Sequence, residues 1–131
     1  MRYTGPKKKL CRREGKNLFG SEKYSLEGSK RKLLGKNSSR MGLYGQQLRA
    51  KQATKRMFGC SEKQFSNYFK KAVKMQGNTL ANMQRLMETR LDVAVLKANF
   101  ARTIMQARQF VSHAHFVENN QKVDIPSYQV S

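Results

Sequence analysis

The stretch that decides the fold is SEKQFSNYFKKAVK, residues 61–74. Ser61 and Gln64 form a capping-box signature, in which two side chains satisfy unpaired backbone N–H groups at the start of a helix. Behind this start, apolar residues recur every three or four positions and lysines occupy the opposite side, which predicts an amphipathic helix. The predicted core face consists of Phe65, Tyr68, Phe69, Ala72 and Val73.

Helical spacing continues on both sides of this stretch. Upstream, residues 46–58 predict a short basic helix that stops at Gly59. Downstream, Gly77 ends the central helix, and apolar stripes predict further helices between residues 80 and 113. The period then changes, and residues 116–125 predict a short hairpin around Asn119-Asn120.

These patterns predict a mainly α (α+β) fold in three segments. Residues 1–42 are expected to be an extended basic arm, because they hold many glycines and few large apolar side chains. Residues 43–85 are expected to form a helical domain, and residues 86–131 a module of two helices and a short β-hairpin.

Charge is the strongest functional signal in the composition. The 131 residues carry 27 Lys and Arg against 8 Asp and Glu, a net charge of +19. Residues 1–40 hold 13 basic and 3 acidic residues, residues 41–85 hold 9 and 1, and residues 86–131 hold 5 and 4. Nucleic acid, an anionic membrane surface and an acidic protein could each neutralise such a chain. The arm has no apolar face for a membrane, so nucleic acid is favoured.

Several other classes of protein are disfavoured by the sequence. No run reaches the roughly 18–20 apolar residues of a membrane span, and the first residues lack a secretory signal. Cys11 and Cys60 are too few and too far apart for a disulfide framework, which indicates a reducing compartment. No close carboxylate pair, catalytic triad or phosphate-cradling glycine loop is present, so we expect no enzyme.

The order of short motifs resembles the S4 family of small-subunit ribosomal proteins. The motifs are RYTGP at 2–6, CRREG at 11–15, LRAKQ at 48–52, SEKQF at 61–65, KMQGNT at 74–79, ETRLD at 88–92, QARQFVSH at 106–113 and DIPSYQV at 124–130. Together they cover nearly the whole chain outside roughly residues 20–42, and their collinear order is far more specific than any single motif.

The resemblance implies a structural, non-catalytic protein that binds small-subunit rRNA at a multi-helix junction and supports assembly and translation. It implies neighbouring small-subunit ribosomal proteins as further partners, with no membrane and no small-molecule substrate. It also implies that residues 86–131 are an S4-type RNA-binding module. The alternatives are a free RNA-binding regulator or chaperone, an accessory module of an RNA-modifying enzyme, and a histone-like DNA compactor, which explains the charge but not the ordered motifs.

This chain departs from the family pattern at three places. GKNSS at 35–39 stands where the family carries Pro-Gly-Gln-His-Gly, and Glu118-Asn119-Asn120 replaces Val-Asn-Gly in the hairpin. Asn tolerates positive φ, so a tight turn is still expected. The family continues beyond the position of Ser131, so we expect either that the module is truncated here or that another polypeptide supplies the rest. These departures, together with the sequences at 48–52 and 90–95, favour a protein of the mitochondrial ribosome; the alternative is a ribosome of the bacterial cytoplasm.

The candidate site residues fall into two groups. Basic residues expected to contact phosphates are Lys7, Lys8, Lys9, Arg12, Arg13, Arg49, Lys51, Lys55, Arg56, Lys63, Lys70, Lys71 and Lys74. Residues that the resemblance places on the RNA-binding face of the module are Arg90, Arg108, Gln109 and His113. A solvated helix face is the alternative for the lysines, but the single acid of residues 41–85 favours RNA.

Two further interpretations stay open beside these. Arg90 could contact RNA, or could form a salt bridge with Glu88 or Asp92; a separation of two residues is poor for pairing along a helix, which leaves its guanidinium available. Zinc needs about four closely spaced ligands, and His113, His115 and Cys11 do not supply them. We therefore expect no metal and no other cofactor.

Overall fold

The computed structural model describes residues 3–27 and 42–130 of the chain. The helices are α1 (Lys7–Glu14), α2 (Leu43–Met57), α3 (Glu62–Lys74), α4 (Thr79–Glu88), α5 (Leu91–Lys97) and α6 (Ile104–Ser112), with a 3₁₀ turn at Glu22–Tyr24. The strands are β1 (Phe116–Glu118) and β2 (Gln121–Val123), which pair in antiparallel fashion. This confirms the mainly α (α+β) prediction. No helix in the described ranges has the length and apolar character to cross a bilayer.

The chain divides into two compact units, Met1–Cys60 and Ser61–Ser131. In the first unit, α1 and α2 enclose a small cluster of Cys11, Leu18 and Ala53. The described part of the predicted extended arm is therefore folded. Apolar residues on one side of α1 and in the following loop pack on α2, a long-range contact that the composition of the segment does not reveal. The 35–39 departure lies outside the described residues.

α3 forms because its start is capped from both directions. The Ser61 hydroxyl accepts a hydrogen bond from the Gln64 N–H at 3.2 Å, and the Gln64 side chain accepts one from the Ser61 N–H at 3.1 Å, as predicted. α4 packs along α3, and the Asn78 side chain caps α4 by accepting from Leu80 N–H at 2.8 Å.

The predicted core face of α3 is only partly correct. Phe65, Tyr68 and Ala72 are buried, whereas Phe69 and Val73 are 50% and 56% exposed. At 100° per residue the three buried positions span a narrow arc, and Phe69 and Val73 lie on its flank, beyond the part of α3 that is covered. The prediction that these two residues pack in the core is wrong.

Residues between Leu91 and Val130 pack around a second core. Leu91, Val95, Ala101, Ala107, Val111 and Val123 are its buried members. Asn119 and Asn120 both adopt positive φ, 49° and 63°, so the hairpin closes through the tight turn that the sequence predicted. The C-terminal stretch then returns to the start of α5, where Leu91 N–H donates to Tyr128 O at 2.8 Å.

Candidate nucleic-acid interface

A cationic surface lies on α3 and is called the lysine face. It consists of Lys63, Lys70, Lys71 and Lys74, all exposed; the first, second and fourth lie opposite the buried arc of the helix and Lys71 lies closer to its edge. Lys63, Lys70 and Lys74 fall within about 40° of one another around the helix axis, and Lys63 and Lys74 are about 16 Å apart along it. Within the described ranges, these four lysines form no salt bridge with a carboxylate.

A second cationic surface lies on α1. Lys8, Lys9 and Arg13 are exposed, and Arg12 is half-buried with its Nε donating to the Lys8 carbonyl oxygen at 3.4 Å. Lys7 points differently, since its Nζ lies 5.6 Å from the centre of the Phe19 ring and 6.0 Å from that of Tyr24. The ring faces attract its ammonium group, so Lys7 also holds the first unit together.

The arginines of α2 make a contact that the sequence analysis missed. Glu14 has a fully buried side chain, and its Oε1 accepts from Nη1 of Arg49 at 3.4 Å and from Nη1 of Arg56. The two arginines are seven residues apart and so share the side of α2 that carries Ala53. The carboxylate of Glu14 therefore offsets part of the positive charge of these two arginines within the protein. The hint of this contact in the sequence was Glu14 itself, an acidic residue at the end of α1, directly before Gly15.

The other two cations of α2 lie away from that contact. Lys51 is exposed and Lys55 is half-buried. At 100° per residue Lys51 lies on the opposite side of α2 from Arg49 and Arg56, and Lys55 lies about 100° from Arg56. Lys51 and Lys55 stay predicted phosphate contacts, whereas Arg49 and Arg56 share the buried carboxylate of Glu14.

The expectation of an available Arg90 guanidinium is wrong. Arg90 and Asp92 are both 0% exposed, with Arg90 Nε donating to Asp92 Oδ1 at 2.9 Å and Nη2 to Oδ2 at 2.6 Å. Arg90 Nη1 also donates to the Tyr68 hydroxyl at 3.2 Å. The spacing rule failed because Arg90 is the extended N-cap residue of α5, where a two-residue separation permits a bidentate contact. The salt-bridge alternative is the one observed.

The other three predicted RNA-binding residues of the module also differ in their exposure to solvent. Arg108 is half-buried with its Nε 3.8 Å from Asp92 Oδ2, so it extends the buried ion pair towards the surface. Gln109 and His113 are exposed. The His113 ring lies 6.0 Å from that of His115, which stacks edge-on against Phe110 at 5.9 Å. Only Gln109 and His113 of this group are therefore presented mainly to solvent.

One acidic residue near the surface, Glu88, is engaged by neighbouring side chains. Glu88 Oε2 accepts from Lys97 Nζ at 2.7 Å, and Oε1 accepts from Gln84 Nε2 at 2.9 Å. The hydrogen bond from Lys97, followed by that from Gln84, lowers the pKa of Glu88 below its ordinary value of 4.5. In the described part of the chain no three His, Cys, Asp or Glu side chains lie close enough to bind a metal.

Comparison with known proteins assigns both halves of the sequence. Residues 2–88 match the family described as "Ribosomal protein S4/S9 N-terminal domain", and residues 89–131 match the "S4 domain". "Small ribosomal subunit protein uS4" of Shewanella loihica is 46% identical over 136 residues, and that of Chromobacterium violaceum 47% over 135. The alignments cover 99% and 98% of this chain, which spans 66% of each relative's length. The chain belongs to the S4 family of ribosomal proteins.

Proposed function

We propose that this protein is a structural constituent of the small ribosomal subunit that binds rRNA. The observation that carries the proposal is the lysine face of α3, which is exposed and without carboxylate partners in the described ranges. Four like charges on one helix repel each other, and closely spaced phosphates remove that repulsion. The curated relatives are named as small ribosomal subunit proteins, which supports rRNA as the source of the phosphates.

The binding mechanism is charge neutralisation with release of counterions. Lysine acts as a compact point charge that tolerates varied phosphate positions, so the lysine face suits backbone contact better than base recognition. Specificity then comes from the shape of a folded multi-helix junction. We propose that segments 1–42, 43–85 and 86–131 each contribute contacts, and that no chemical step is catalysed.

The presented residues of α1 and α6 extend this surface chemistry. Lys8, Lys9 and Arg13 offer further phosphate contacts, and Gln109 and His113 offer hydrogen bonds to the RNA backbone or to 2′-hydroxyls. Neighbouring small-subunit proteins are proposed as the other partners. The experiment is sucrose-gradient fractionation of cells that express the tagged full chain. Sedimentation with the small subunit is expected, whereas a chain that stays at the top of the gradient is a free regulator and contradicts the proposal.

The compartment is proposed from sequence features alone. The motifs at 48–52 and 90–95 and the hairpin sequence Glu118-Asn119-Asn120 favour a mitochondrial ribosome, with the bacterial cytoplasm as the alternative. Both compared relatives are bacterial. Fractionation of the source cells decides between them: the mitochondrial proposal requires the chain in the ribosomes of an organelle, and its presence in the ribosomes of a bacterial cell refutes it.

A further inference from the structure

An aromatic ring lies exposed beside the lysine face. Phe69 is 50% exposed and Val73 56%, although α3 packs along α4. Ser66 and Val73 lie three and four positions from Phe69 and four and three positions from Lys70, so the four residues form one strip of α3 with Phe69 and Lys70 at its two edges, about 100° apart around the axis. This strip, called the ring patch, runs alongside Lys63 and Lys74 of the lysine face.

The core does not need the Phe69 ring. The neighbouring Tyr68 is 9% exposed, its hydroxyl accepts from Arg90, and the guanidinium lies 5.7 Å from its ring. Phe65 is equally buried at 9%. Phe69 instead presents half of its surface to solvent, and a single exposed apolar residue is ordinary on a protein surface. What distinguishes Phe69 is that the other edge of its strip, at Lys70, borders the lysine face.

The charge around the ring distinguishes between two kinds of occupant. A protein partner would bury the ring in an interface core, from which lysine is depleted, and a stable interface needs about 800 Å² on each side. Two apolar side chains bordered by lysines do not offer that. Sites for unpaired nucleic acid combine cationic grooves with aromatic side chains on which bases stack. An anionic strand with exposed bases is therefore complementary to the ring patch in both respects.

We propose that Phe69 is a stacking platform for one unpaired RNA base, with Lys70, at the other edge of the ring patch, holding a neighbouring phosphate. The inference rests on the proposed function and deepens it, because it assigns one contact to an unpaired nucleotide rather than to the backbone of a duplex. Lysines of the helix would fix the strand by charge, and the ring would select against base-paired RNA at this point.

The test compares affinities of the full-length protein for two RNA probes. The first is an oligouridylate of about a dozen nucleotides with one central 2-aminopurine, and the second is a duplex of the same length. For the single strand, Phe69→Leu is expected to weaken binding about 5- to 150-fold and to abolish the quenching of 2-aminopurine fluorescence that stacking produces. Phe69→Tyr keeps a ring and is expected to retain both. Duplex affinity is expected to be the same for all three proteins.

Val73→Ala is the matched control, because it removes an exposed apolar side chain from the same patch without removing a ring. It is expected to change affinity less than about twofold. The slope of log K against log salt is expected to stay unchanged in Phe69→Leu, since no phosphate contact is lost. Equal quenching and affinity in wild type and Phe69→Leu, with the salt slope intact, would overturn the stacking inference alone. Salt-independent or absent binding by the wild-type protein would overturn the proposed function with it.

Discussion

Removing the carboxylate of Asp92 should destabilise the second unit severely. Asp92 and Arg90 are fully buried and joined by two charge-assisted hydrogen bonds of 2.9 and 2.6 Å. In Asp92→Ala the guanidinium stays buried without its carboxylate, a loss that costs about 3–5 kcal/mol. Because a domain of this size is stable by about 5–15 kcal/mol, the substitution removes between about a fifth and all of the free energy of unfolding.

Urea unfolding of the full chain, followed by far-UV circular dichroism, measures this effect. Glu88→Gln is the matched control, because it breaks an ion pair with Lys97 that is solvent-exposed, and it should lower the free energy of unfolding by less than about 1 kcal/mol. Replacing both buried partners, Arg90→Met with Asp92→Leu, should recover most of the lost stability since no charge is then left unpaired. A loss below about 1 kcal/mol in Asp92→Ala would show that the pair is effectively solvated and would refute the reasoning.

Three other predictions test local features. Lys97→Met should raise the pKa of Glu88 towards 4.5 in a carboxyl NMR titration, and an unchanged pKa would contradict the contact. Because folding lowers this pKa, the contact stabilises the fold above pH 4.5, and its contribution is lost as the pH falls through the pKa of the folded state. Asn119→Ala should destabilise the hairpin by about 1–2 kcal/mol whereas Asn120→Gly should not, because both positions have positive φ; equal melting temperatures would disprove the turn assignment. Ser61→Ala should cost about 1 kcal/mol in urea unfolding through loss of the α3 cap, and Ser61→Asp should restore it.

The sequence predicts the elements of this fold better than their packing. The capping box at Ser61 and the Asn119-Asn120 turn act through neighbouring residues, so local patterns identify them, and the structure confirms both. Phe69 shows the limit of that reasoning. An apolar stripe indicates which side of a helix can be buried, but the width of the buried arc depends on how much of α3 the neighbouring helix covers.

In the candidate site, too, local patterns were predictable and contacts between distant residues were not. The lysine face was predicted because its residues share one side of one helix. Arg90, Arg49 and Arg56 could not be assigned in this way, because Tyr68 and Glu14 reach them from distant positions in the sequence. An arginine that compensates a buried acid and an arginine that binds phosphate look identical in sequence, since both uses rely on the same bidentate group.

The most direct test of the central claim is the salt dependence of rRNA affinity with and without the lysine face. For a small-subunit rRNA transcript, log K of the wild-type protein should fall linearly with log salt, and Lys70→Gln, Lys71→Gln and Lys74→Gln combined should reduce the slope by about 2 to 3 while the melting temperature stays unchanged. Lys97→Gln, whose ammonium group is paired with Glu88, should leave the slope as it is. An unchanged slope in the triple variant, or a collapse of its melting temperature at constant affinity, would contradict the account.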